Sequence, residues 1–154
     1  MFGLFKKQPA PLMSAEESAI IVEAINEAER NTTGEIRVFV ESRCNYVDAW
    51  DRAWQVFHHL EMSKTQHRNA VLVYIATLDK QVAIIADEAI FKKVGGPEYW
   101  VKELEMIKQG GRNQQLAQGV VNAINDIGVA LHEHFPHKGG SNKNELPNEI
   151  VFGK

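Results

Sequence analysis

The feature that most constrains this chain is a pair of apolar segments held four residues apart. Ala70-Val-Leu-Val-Tyr-Ile-Ala76 has no polar face at all, and Gln81-Val-Ala-Ile-Ile-Ala-Asp87 follows directly after Thr77-Leu-Asp-Lys80. Seven apolar residues in a row predict a strand covered on both faces. So short a connection joins only antiparallel neighbours. The run is also far below the ~18–20 residues of a membrane span. Any fold built on this pair needs a helical layer on each side of a sheet.

The remaining pattern supplies those layers. Ser14-Ala-Glu-Glu17 fits a capping box, and Ile21, Ile25 and Ala28 continue at helical spacing. That helix is expected to stop near Thr32-Thr33-Gly34, with Gly34 taking the left-handed turn. Glu35-Ile-Arg-Val-Phe-Val-Glu41 alternates with period two, which predicts a strand with one face more deeply buried than the other. A second helix fits residues 47–62 on the stripe Ala53, Phe57 and Leu60, flanked by Trp50, Trp54 and Val56. After the strand pair come a short helix over Glu88–Val94 and a helix opened by Pro97 and broken by Gly110-Gly111. A last helix runs on Leu116, Val120, Ile124, Ile127, Leu131 and Phe135, and Pro136 terminates it. The order α-β-α-β-β-α-α-α implies a parallel first pair with a helical crossover and an antiparallel third strand. The expected fold is a three-layer α/β/α sandwich around a small mixed sheet. Residues 1–13 read as a flexible lead-in, 14–136 as the domain, and 137–154 as a flexible tail whose apolar end, Leu146–Phe152, docks back on it.

Composition sets the class. The 154 residues carry 17 Lys+Arg against 20 Asp+Glu, a formal charge of -3 with no long block of either sign. A sequence-independent nucleic-acid binder needs a concentrated basic face, so nucleic acid is not an expected partner. The lone Cys44 closes no intramolecular disulfide and builds no thiolate zinc cluster. The short Met1-Phe-Gly-Leu-Phe-Lys-Lys7 start has the wrong charge order for a signal peptide, so the expected location is cytoplasmic.

Several short motifs, in order, resemble the TPM domain family, whose members include thylakoid-lumen, photosystem-repair and nematode receptor-accessory proteins. They are Ala28-Glu-Arg-Asn-Thr-Thr-Gly-Glu-Ile36, Ala53-Trp-Gln-Val-Phe57, Thr65-Gln-His-Arg-Asn69, and Ala83-Ile-Ile-Ala-Asp-Glu-Ala-Ile90 with Val94-Gly95. Trp100, Gly119 and His134-Phe-Pro136 complete the set. Family glycines are replaced by Ala70 before the middle strand and by Ala86 and Ala89 after the third. Alanine does not easily take positive φ, so the replacements work against close backbone approach of a ligand. The resemblance implies an α/β fold. For function it implies acid-phosphatase activity or divalent-cation binding in some relatives, and an accessory role beside a membrane complex in others.

Strand directions point to a candidate site. Glu35 opens the first strand, Arg68-Asn69 the second, and Asp87-Glu88 closes the third, which puts all of them at one end of the sheet. Glu35, Asn69, Asp87 and Glu88 are hard oxygen donors suited to Ca²⁺ or Mg²⁺, and Arg68 suits a phosphate. No organic cofactor is expected. The competing reading is an ion-pair network of Arg68 with Glu35 and Asp87, with Asn69 capping a turn. His132, His134 and the other four histidines show no i, i+4 pair, and no Ser-elbow, P-loop or dinucleotide motif occurs. Two functions remain open: a cation-binding interaction module with an unnamed protein partner, and a metal-assisted acid phosphatase. A ligand-free structural partner is the third.

Overall fold

The computed structural model describes residues 12–45, 48–137 and 145–153. In chain order the elements are α1 (Ala15–Glu29), β1 (Glu35–Glu41), α2 (Ala49–His59), β2 (Ala70–Ala76) and β3 (Gln81–Ala86). They are followed by α3 (Glu88–Lys93), α4 (Pro97–Arg112), α5 (Leu116–His134) and β4 (Val151–Phe152). The strands lie in the order β3-β2-β1-β4, with β1 parallel to β2 and to β4, and β2 antiparallel to β3. This is the mixed-sheet α/β sandwich that the strand pair demands.

Each face of the sheet has its own core. Ile36, Val38 and Val40 of β1 join Val71, Val73 and Ile75 of β2 beneath α1, α4 and α5. On the other face Phe39, Leu72, Tyr74 and Ile85 pack on Ala53, Val56 and Phe57 of α2. All seven residues of β1 are buried, and the Ile36, Val38 and Val40 face, at 0% exposure, is covered more completely than the Glu35, Arg37, Phe39 and Glu41 face, at 3–8%. Its alternation marks a chemical difference between faces. Glu35, Arg37 and Glu41 share the α2 face with Phe39, and each must find partners there.

Two glycine readings are corrected. The left-handed residue after α1 is Asn31, at φ 61, the one other residue that commonly takes this role. Gly34 is needed for space, because a Cβ there would overlap the Leu131 side chain. Gly110-Gly111 does not break α4, which continues to Arg112. A Cβ on Gly110 would sit 2.7 Å from Gln115 O and 2.8 Å from Gly119 Cα, so the glycine lets α4 and α5 meet backbone to backbone.

The tail adds to the sheet. Leu146 is buried in the α2-side core, and Val151 pairs with Phe39 on the outer edge of β1. Residues 1–11 and 138–144 of the expected lead-in and tail lie outside the described residues, whereas Leu12 and Met13 pack on the core beneath α1.

Candidate functional site at the start of the sheet

Register brings the candidate residues to one end of the sheet. Glu35 lies opposite Ala70, and the Asp87 N–H donates to Ala70 O at 2.9 Å. The candidates then separate into two groups.

The first group is Arg68, Asp87 and Glu88. Arg68 Nε and Nη2 donate to the two oxygens of Asp87 at 2.7 and 2.8 Å, a bidentate pair. Asp87 Oδ1 also accepts from Glu88 N at 2.8 Å, capping α3. Arg68 stands at φ 51 and accepts Ala89 N at its carbonyl, so the turn before β2 is stitched to the start of α3. Glu88 is 61% exposed and 3.8 Å from Arg68 Nη1. Arg68 thus pairs with Asp87 and Glu88; no bond joins it to Glu35.

The second group surrounds Glu35. Its Oε1 accepts from Glu145 N at 2.6 Å, which fastens the tail, while its Oε2 is buried without a hydrogen-bond partner. Glu29, from the last turn of α1, reaches the same place and accepts from Ile36 N at 2.8 Å. Burial, opposed by the Glu145 and Leu146 amides and reinforced by the Glu145 charge, pushes the Glu35 carboxyl up to about 7. Burial, with the charge of Glu35, pushes Glu29 up to about 8. Arg37, two residues along the same face, is buried with Nε unpartnered. Burial lowers its pKa, and Glu149, Glu29 and Glu35 act to raise it. Asn69 donates to Thr33 Oγ1 at 3.0 Å, but its Oδ1 is buried without a partner, as is Thr65 Oγ1. Among the described residues no three His, Cys, Asp or Glu side chains are gathered in a geometry for a metal ion.

The TPM domain model matches residues 7–130. The chain belongs to the TPM domain family. It is similar to the protein BA42 of the psychrophilic bacterium Bizionia argentinensis, known from a solution structure. The two share 38% identity over 95% of this chain and 99% of that one, with a TM-score of 0.84. The N-terminal domain of cg2496 from Corynebacterium glutamicum, at 13% identity, shares the fold over 82% of this chain and 86% of that one, with a TM-score of 0.62. The comparison with curated proteins gives no match. As a TPM domain the chain has no helix, among the described residues, long and apolar enough to cross a membrane.

Sequence reasoning missed Glu29, Arg37 and the tail residue Glu145. Glu29 occupies what a helical wheel reads as an ordinary polar position. The only signal was Arg37, a charge on a strand that the layered fold buries.

Proposed function

We propose that this TPM domain is an accessory module that holds a divalent cation, Ca²⁺ or Mg²⁺, at the start of β1. Glu35 and Glu29 supply the carboxylates, and Asn69 is a neighbouring oxygen donor. The observation that carries the reading is the two buried oxygens without partners there, Glu35 Oε2 and Asn69 Oδ1, on residues joined by the Glu35 N–H to Asn69 O bond. Buried polar atoms are normally satisfied, so a pair of hard donors left open favours a cation. Two acids that burial holds partly protonated also gain most from a double positive charge, which offsets both. Arg37 offsets only part of that charge. Asp87 is committed to Arg68, so in this reading the cation is centred on Glu35, with Asp87 and Glu88 outside it.

The acid-phosphatase alternative draws less support from the site. Its phosphate-binding candidate, Arg68, is occupied by Asp87 through two hydrogen bonds. Calorimetric titration of the full chain with CaCl₂ and MgCl₂ tests the proposal. Saturable binding that is lost in Glu35→Gln and kept in Asp87→Asn supports it. No heat in the wild type, or release of phosphate from a generic phosphate ester that Asp87→Asn abolishes, contradicts it.

A further inference from the structure

A cavity of about 930 Å³, not lined by Glu35, is an open groove that runs along the edge of β3. The floor is main chain. Asp87 N bonds to Ala70 O, so Asp87, Ile85 and Ala83 face β2 in the alternating antiparallel ladder. By the same alternation the N–H and C=O groups of Val82, Ile84 and Ala86 point away from β2 into the groove. Trp50 and Trp54 of α2 form one wall, and Val101 and Leu104 of α4 form the other. Trp50 is 50% exposed and Val101 65% exposed. Free edges are normally blunted by a charge, a proline or a bulge. Gln81–Ala86 carries none of these.

We propose that this groove binds an extended segment of another protein, which adds to β3 as a fifth strand. The main-chain row, unpaired among the described residues, calls for a peptide backbone as the occupant, and the two apolar walls call for apolar side chains facing each. Charge specifies more. The acids lining the groove are Asp48, Asp87 and Glu88, against Arg68 and Lys92. Arg68 is taken by Asp87, and Asp48 stands apart at the N-cap of α2. Arg52 of that helix pairs with Glu41, and Glu41, Ala76 and Gln81 are in register, so Asp48 lies at the end where β3 begins. An antiparallel guest strand therefore places its C-terminal end by Asp48, and a basic residue there completes the match.

The test is amide hydrogen exchange of the full chain with a nine-residue probe peptide that alternates Val and Thr and ends in two Lys. Exchange at Val82, Ile84 and Ala86 is expected to slow at least tenfold, less with Glu in place of the two Lys. A probe N-methylated at alternate amides is expected to do nothing. Val82→Pro removes an outward donor without touching the β2 ladder, and Val101→Glu alters a wall and leaves β3 intact; both should abolish the effect. Three results would overturn the proposal. These are unchanged exchange at millimolar probe, equal binding of the N-methylated probe, and protection of the same amides by rising concentration of the chain alone, which would make a second copy the occupant.

Discussion

The two ends of β1 carry the same residue on the same face in opposite circumstances. Glu41, at the strand's finish, is met by Arg52 Nε and Nη2 at 2.8 and 2.9 Å and by the Tyr74 hydroxyl. Burial alone would raise its pKa, but those hydrogen bonds and the Arg52 charge outweigh it and hold Glu41 below the ordinary carboxylate range. Glu35, at the start, has among the described residues only the Glu145 and Leu146 amides and no cation bonded to it, with a second acid beside it, and it rises to about 7. Both are almost fully buried. Burial therefore does not decide the state of a carboxylate; the partners supplied to it do. A satisfied acid fixes structure. An unsatisfied one is a place where something else can bind.

The largest way to break the contrast is to make the Glu41 end resemble the Glu35 end. Arg52→Ala leaves a buried carboxylate without its cation, and we expect denaturant unfolding to show a loss of about 3–5 kcal/mol. A smaller effect sharpens the role of burial. Glu103 is fully buried between α4 and α5 with both oxygens unpartnered, and burial, then Asp126, push it up to about 9. Glu103→Gln should gain on the order of 2 kcal/mol at pH 8, because a neutral amide avoids the cost of an acid kept protonated. Glu35→Gln should gain less, about 1 kcal/mol at pH 8, since the Glu145 amide already offsets part of the penalty. The same contrast governs pH. Glu35, Glu29 and Glu103 keep protons up to about 7, 8 and 9, whereas the unfolded chain releases them near 4.5. The fold then binds the extra protons, so stability falls as pH rises from about 5 to about 9. Glu41 works in reverse, and its contribution is lost as pH falls below the ordinary carboxylate value. Melts of wild type and Glu35→Gln across pH 5–9 should show a shallower fall in the variant.

How much of this was legible in the sequence follows from range. The hairpin of β2 and β3, the capping box at Ser14 and the layered fold came from local periodicity, and the convergence of Glu35, Asn69 and Asp87 on one end followed from the directions of β1, β2 and β3, whereas β4 on the outer edge of β1 was not read. Bonds within that end were not legible. Arg68 was a candidate partner for two acids, and only the turn at φ 51 selects Asp87. Glu29 meets Glu35 through the α1–β1 turn, and Glu145 arrives from 110 residues away. Gly110 read as a helix stop because its local preference was visible and the backbone of α5 above it was not.

The central claim is that the start of β1 is an acid pair waiting for a cation. Carbon-detected NMR titration of the Glu29 and Glu35 carboxyls, with and without 5 mM CaCl₂, tests it most directly. The account predicts midpoints near 8 and 7 without Ca²⁺ and a fall of at least one unit in both with it, while Glu41 stays unmoved. Midpoints near 4.5 for both acids, or raised midpoints indifferent to Ca²⁺, would contradict it.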